Sequence, residues 1–328
     1  MNPPKCDDLD YIHFLIASQR VFTCTEAARC QPDTQGAAAH DAFTRLLARQ
    51  SSDTEALWQE AQQLIDKRKG VLVLDDTTLD KPYAQHMELV THHWSGKHHR
   101  VVKGICLLTL LWTQGESLVP CDYRVYEKKQ SKNELFRGML KVAYTRGMRP
   151  RYVQMDSWYC GVENLKAIRT VGWHFLTRLK SNRLVNPDGK GNVPISEVEI
   201  GEEGRVVHLK AFGFVKVFRT VSPNGDAEYW ATDDLEMTEA QRASLEQMGW
   251  GIEEYHRGLK QFCGVERAQV RKAVAWMGHL QSALRAFLRL EAYRLRSGLS
   301  WYEAKQRIVR EAIRAYLRHP LYIIQPTA

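Results

Sequence analysis

The stretch "VLVLDDTT" (residues 71–78) sets four consecutive apolar β-formers before two acids and two threonines. A short run apolar at every position is a strand buried on both faces, hence central in its sheet, with Asp75 and Asp76 where it emerges. Outward from it, "RVVKGICLLTLLWT" (100–113) and "SLVPCDYRVYE" (117–127) read as two further strands joined by the tight turn Gln114-Gly115-Glu116. Ser131-x-x-Glu134 opens a helix that runs through Tyr144, with Gly147 just beyond it. "RYVQMD" (151–156) is a fourth strand, again ending in an acid, Asp156; "ENLKAIRTVG" (163–172) is helical and "WHFLTRLK" (173–180) is a fifth strand. Three strands, helix, strand, helix, strand predicts a meander followed by two parallel crossovers. The expected fold class is therefore α/β, a mixed five-stranded sheet with flanking helices.

The flanks differ in character. Residues 1–68 read as an N-terminal helical region, with "DYIHFLIASQ" and "HDAFTRLLARQ" around a polar stretch. Its basic second helix makes it a candidate for DNA contact. Ser52-x-x-Glu55 is a capping-box pattern; Leu57, Ala61, Leu64 and Ile65 follow at helical spacing, and Gly70 is read as the helix end. Residues 181–236 have strand composition and an Asn224-Gly225 hairpin turn, the signature of a β-rich insertion. Helices resume near Thr238. The division read from these shifts is 1–68, a core in two parts at 69–180 and 237–275 around the 181–236 insertion, and basic C-terminal helices at 276–328.

Composition narrows the setting. The chain has 328 residues, 44% hydrophobic and 26% charged, enough for two domains with a large core. No apolar run approaches the roughly 20 residues of a membrane span, and the N-terminus lacks a secretion signal. Seven scattered cysteines with no CxxC pair read as reduced thiols of a cytoplasmic protein. Between Arg257 and Arg318 there are fourteen Lys and Arg against four acids. Such a segment suits either a polyanionic partner or a solubilising helical surface.

The acids at the strand ends carry the chemistry. If the first and fourth strands are neighbours, Asp76 and Asp156 lie about 4.8 Å apart, where two charges repel by about 4 kcal/mol at an effective dielectric near 20. Such a pair raises one pKa or recruits a cation, and carboxylate oxygens suit Mg²⁺ or Mn²⁺. A third carboxylate is available in "WGIEEYHRGLKQ" (250–261). On a helical wheel Glu253, Arg257 and Lys260 share one line, while Ile252, Tyr255, Leu259 and Phe262 form the opposite, core-facing stripe. A metal ligand with phosphate clamps below it, or an ordinary i,i+4 ion pair, both fit that line.

"DDTT" after an apolar strand, "DSWY" after the fourth strand and "WGIEEYHRGLKQ" after a β-rich insertion together resemble the DDE transposases of bacterial insertion sequences. The resembling branch keeps such an insertion between the second Asp and the Glu, and the likeness runs from about residue 69 to 272. It implies an RNase H-like core whose triad is Asp76, Asp156 and Glu253, holding two Mg²⁺ ions for which Mn²⁺ substitutes. It further implies cutting and joining of element ends, through DNA hairpins, by a homodimer on DNA in the bacterial cytosol. Lys260 matches the family's lysine seven residues past the Glu, a phosphate contact. Its tyrosine and arginine, seven and four residues before the Glu, are here Glu246 and Gly249, which leaves Arg257 as a substitute clamp. Arg271 and Lys272 of the basic segment, and Trp94, His99 and Arg100 at a basic hairpin tip, are the other expected DNA contacts. A catalytically silent DNA-binding repressor and an RNase H-like nuclease that does not join remain alternatives.

Other conspicuous residues read as structural. Asp75 is expected to support the ligands rather than to be one, and Asp80, Asp233 and Asp234 to lie in turns. Trp158 and Tyr159 are expected in the core, with a role near the DNA as the alternative, and Trp230 in the small core of the insertion, where the resemblance also allows it to stabilise a flipped base or hairpin end; Cys160 and Cys263 are expected to be structural. The cluster from His86 to His99 is read as part of the hairpin tip and not as a zinc site.

Overall fold

The computed structural model describes residues 4–32, 36–50, 54–95, 99–222 and 224–320. Their elements, in chain order, are α1 (Asp8–Ala17), α2 (Cys24–Arg29), α3 (His40–Arg49), α4 (Glu55–Ala61), β1 (Val71–Asp80), β2 (Thr91–Ser95), β3 (Arg100–Gln114), β4 (Ser117–Tyr126) and α5 (Lys132–Thr145). There follow β5 (Tyr152–Met155), α6 (Val162–Thr170), β6 (His174–Leu179), β7 (Leu184–Val185), β8 (Val193–Pro194), β9 (Arg205–Leu209), β10 (Gly213–Val221) and β11 (Ala227–Thr232). Three long helices close the chain: α7 (Glu239–Phe262), α8 (Ala273–Ser297) and α9 (Trp301–Arg318). Two compact units emerge: the described residues of Thr54–Gln85 with Leu89–His256, built on the sheet, and those of Met1–Asp53, His86–Glu88 and Arg257–Ala328, built from helices. The contacts thus group the helices of the two chain ends in one unit, where the sequence reading kept 1–68 and 276–328 apart.

In the sheet unit the expected five strands are present in the order β4-β3-β1-β5-β6. β1 is central: Val71 to Leu74 are buried, β3 pairs with it antiparallel, and β5 pairs parallel with Leu72–Leu74 opposite Val153–Met155. β6 is parallel to β5. This is an RNase H-like core with a β-rich insertion; β7 and β8 of the insertion form a small two-stranded sheet of their own, but its longer strands join the core sheet. Its strand β11 pairs antiparallel with β6, and β10 and β9 follow, so the mixed sheet has nine strands once β2, paired to the start of β3, is included. The physical reason is the free edge of β6, whose N–H and C=O groups find partners in β11.

Local signals set the connections. Ser131 and Glu134 form a reciprocal capping box at α5, and Gly147, at φ +79°, terminates it. Gly115 at φ +62° makes the β3–β4 turn. One reading is corrected: α4 stops at Ala61, and Gly70 does not cap it. Gly70 precedes β1 beside the fully buried Trp112, where a Cβ would lie 2.2 Å from the indole. The capping box expected at Ser52 falls outside the described residues.

The helical unit is organised around α8, which is buried almost continuously from Ala275 to Leu290 and contacts α1 and α3. A Cβ on Gly278 would lie 2.3 Å from the Leu47 carbonyl, so only glycine permits that close approach. The His279 ring is held at both nitrogens, by the Tyr11 hydroxyl at 3.0 Å and the Gly264 carbonyl at 3.2 Å. Among the described residues no helix is long and apolar enough to cross a membrane.

Candidate active site

β1 sends its two acids to opposite faces, as strand alternation requires. Asp76 is bonded by the Lys132 ammonium of α5 at 2.6 Å, by the Tyr159 hydroxyl at 2.5 Å and by the Cys106 thiol at 3.3 Å. Burial lowers the Lys132 pKa, but the Asp76 carboxylate more than offsets it and holds that amine above its ordinary value. Burial, followed by the Asp76 charge, pushes the Tyr159 hydroxyl far up, so it stays a donor.

Asp75 lies on the other face. It lines a pocket of roughly 550 Å³ with Asp156, Glu253, Arg178, Trp230 and Glu246. Burial raises the Asp75 pKa well above the usual carboxylate range, and the charges of Asp76, Glu253 and Asp156 push the same way. His256, one turn past Ile252 on the buried side of α7, places its ring Nδ1 3.8 Å from the Asp75 carboxylate. Asp156 follows β5, is exposed, and accepts from the Ser157 N–H at 2.5 Å at the start of a 3-10 turn, Ser157–Tyr159. Glu253 is exposed on α7, while Ile252 and Tyr255 are buried, as the helical wheel requires.

The geometry therefore brings Asp75, Asp156 and Glu253 to one pocket, and turns Asp76, which the resemblance selects, towards Lys132. The oxygen-rich, mutually repelling acids fit a hard divalent cation. Among the described residues, no three His, Cys, Asp or Glu side chains converge into a ready metal cage. The same pocket is also lined by Arg178 and Trp230. Arg178 of β6 lies over the Trp230 ring at 4.8 Å and 3.4 Å from Glu228, and the buried Trp230 Nε1 has no hydrogen-bond partner among the described residues.

The two departures from the family signature have a packing explanation. Gly249 brings α7 onto β5: a Cβ there would lie 2.5 Å from the Gln154 amide oxygen, and that amide is held by the Leu245 carbonyl. Glu246 is engaged by Arg242, which also binds Glu239.

The remaining predicted contacts scatter. Trp94 is 65% exposed on β2, and His99 and Arg100 are exposed at the start of β3, with part of that tip outside the described residues. In the helical unit Arg257 and Arg271 are exposed, Lys260 is 3.4 Å from Glu266, and Lys272 is 2.9 Å from Glu88. Much of the basic surplus serves the fold instead: Arg285 binds Asp8, Arg294 binds Glu291, and Lys305 is buried. Tyr159 is buried as expected, whereas Trp158 is 60% exposed. Sequence reasoning missed Lys132, Arg178 and His256; only strand alternation at 75 and 76 carried a signal for the division of faces.

β1 does not end at its acids as expected but runs on through Asp80, which is paired with Gly104 and not in a turn. The order of these parts (acid within β1, acid after β5, glutamate on the helix after the insertion) coincides with a match to the family model for the transposase DDE domain over residues 66–287. The chain belongs to the transposase DDE domain family. Among solved structures, a cryo-EM piggyBac transposase synaptic complex with hairpin DNA is similar in fold, with a TM-score of 0.55 over 98% of this chain and 74% of that one, at 10% sequence identity. No match was found among curated proteins. As a member of this family, the chain is a transposase-type protein whose Asp75, Asp76, Asp156 and Glu253 all lie in the sheet unit.

Proposed function

We propose that this chain is a DNA transposase that cuts the ends of its own element and joins them to target DNA with two Mg²⁺ or Mn²⁺ ions. The observation that carries the reading is that Asp75, Asp156 and Glu253 line one pocket together with Arg178 and Trp230. The acids would hold the ions, and Asp156 and Glu253, both exposed, leave room for a phosphodiester. Two such ions, when bound, supply charge stabilisation to the oxygens entering and leaving phosphorus. Arg178 and the unpartnered Trp230 N–H are donors suited to a phosphate oxygen. Lys132 and Tyr159 fix Asp76 from behind, and His256 abuts Asp75. Two readings of the first carboxylate stand: Asp76, the acid directly before Thr77-Thr78, which the resemblance selects, and Asp75, supported by its place in the pocket lining. Hairpin ends, as in the similar piggyBac complex, a homodimer on DNA, and a cytoplasmic setting complete the proposal.

The test uses DNA bearing the inverted repeats that flank the gene, with Mg²⁺ or EDTA, resolved on a denaturing gel. Cleavage at the ends should require metal and fall by more than about 100-fold in Asp156→Ala, since ligands matter at least as much as their supporting residues. Asp75→Asn and Asp76→Asn, run side by side, decide which acid of the pair is the ligand. Joined or hairpin products identify a transposase, and cleavage alone a nuclease. Binding without cleavage, equal in wild type and Asp156→Ala, would instead support the silent repressor, a reading favoured by Glu246 and Gly249 at the signature positions.

A further inference from the structure

Past the catalytic acids the sheet continues as a two-stranded ribbon. β2 and the start of β3 pair antiparallel, from Thr91 opposite Gly104 to Ser95 opposite Arg100. Strand alternation sorts the side chains between two faces. On one face His93 is buried, shares a hydrogen bond of 2.7 Å with the Thr91 hydroxyl, and lies 6.0 Å from the Tyr126 ring of β4. That face ties the ribbon to the body of the sheet unit. The other face carries two cross-strand pairs side by side, Trp94 with Val101 and His92 with Lys103. Trp94 is 65% exposed and Val101 59%; His92 is exposed and Lys103 half-exposed. An apolar pair thus adjoins a pair of nitrogen donors, and both are open to solvent. Residues 91–104 contain no Asp or Glu. Neither His92, Arg100 nor Lys103 forms an ion pair with a carboxylate among the described residues, whereas Lys132 is paired with Asp76.

We propose that this ribbon enters the major groove of duplex DNA and reads base edges with Trp94, Val101, His92 and Lys103. This rests on the reading of the chain as a DNA transposase. Two strands about 4.8 Å apart, with their side chains, suit a major groove about 12 Å wide and overfill a minor groove of about 6 Å. The groove floor presents what the two pairs can meet: thymine methyls for Trp94 and Val101, and guanine N7 and O6 acceptors for His92 and Lys103. A segment without carboxylates complements the polyanion. Arg100, exposed at the end of the ribbon, supplies a phosphate contact. One continuous strand, β3, links the ribbon to the active site. Thr109 stands opposite Asp75, and Val101 lies eight residues earlier on the same strand, roughly 27 Å away. A duplex held at the acids therefore passes the ribbon within about one helical turn, roughly 34 Å.

The experiment measures binding of the full chain, in EDTA so that no cutting occurs, to a duplex carrying the terminal inverted repeat and to an unrelated duplex of equal length. Wild type, Trp94→Ala, Lys103→Ala and Lys103→Arg are compared after circular dichroism confirms folding. Each alanine variant should weaken binding to the repeat about tenfold and change binding to the unrelated duplex far less, while Lys103→Arg should retain most of the affinity. Dimethyl sulfate footprinting should show guanine N7 protected in wild type, within about one helical turn of the cut, and exposed in both alanine variants. Equal losses on the two duplexes would reduce the ribbon to a phosphate contact and overturn the assignment. Protection confined to adenine N3, in the minor groove, also overturns it. Trp94→Ala that binds DNA as wild type does but dissociates in gel filtration would make the face a contact between copies, again overturning it. Affinity and protection unchanged in both alanine variants overturn the ribbon and leave the transposase reading standing. A wild-type chain that binds neither duplex overturns both.

Discussion

Glu291 and Lys305 in the helical unit and the half-buried Asp75 in the sheet unit are handled in opposite ways. In the helical unit, Glu291 is fully buried and accepts from the Arg294 guanidinium twice at 2.8 Å and from the Trp301 indole N–H at 2.9 Å. Lys305, 4% exposed, donates to the carbonyls of Ser18 and Phe262, both at 2.7 Å, and more distantly to Leu15. In the sheet unit, Asp75 lies among carboxylates and has the His256 ring at 3.8 Å. A buried charge met by the right partners, N–H donors for Glu291 and carbonyl acceptors for Lys305, is part of the scaffold, while an acid set among like charges is left with a raised pKa.

The comparison can be broken most forcefully at Glu291. Glu291→Ala leaves Arg294 and the Trp301 N–H without their acceptor, and should cost about 3–5 kcal/mol in urea unfolding. A loss below about 1 kcal/mol would mean that the pairing is no more than a surface bridge. Lys305 sharpens the same point through pH. Although carbonyls accept from it, burial pulls its pKa down to about 8. Between about pH 8 and 10.5 the unfolded lysine keeps a proton that the folded one releases, so stability rises with pH across that window. The gain, read as the difference between wild type and Lys305→Met, should be roughly 3 kcal/mol; a flat difference would show the ammonium to be fully compensated.

Asp75 should behave in the reverse sense. Its raised pKa means that the folded chain binds the extra proton, so its contribution is present in acid and is lost as pH rises above the ordinary carboxylate range. Asp75→Asn should flatten that dependence and raise Tm by about 2–4 °C at neutral pH without metal. Mg²⁺ at about ten times its Kd should stabilise wild type by about 1.4 kcal/mol and the variant less, measured by differential scanning fluorimetry. If Asp75→Asn melts earlier than wild type in EDTA, the carboxylate is structural. At the bottom of the scale, Arg310 and Glu303 on α9 are half-exposed partners, 50% and 32%. Arg310→Ala should shift stability by no more than about 0.5 kcal/mol, and a larger loss would extend the structural role of charge to the surface of this unit.

How much of this was legible beforehand follows from which forces are local. "VLVLDDTT" disclosed a central strand because burial on both faces leaves an apolar run, and the Ser131 and Gly147 signals marked α5 because caps are built from neighbouring residues. The wheel through Glu253 separated the exposed acid from buried Ile252 and Tyr255 for the same reason. What stayed hidden was long-range. The edge of β6 recruits β11 from across the insertion, Lys132 reaches Asp76 over 56 residues, and Gly249 is explained only by Gln154. The choice between Asp75 and Asp76 was half visible: alternation says that they face opposite ways, but only the packing of α5 and α7 says which face is which. Trp158 and Tyr159 show the same limit, since adjacent aromatics of like hydropathy end one outside and one inside.

The pairing of β6 with β11 has an evolutionary consequence. Leu179, where the chain leaves the core, stands opposite Tyr229, where it returns. A detour that departs and arrives at facing residues of one ladder can be lengthened, shortened or exchanged between lineages without shifting the helix that carries Glu253. Excursions of very different length at this point are therefore compatible with one placement of Asp75, Asp156 and Glu253.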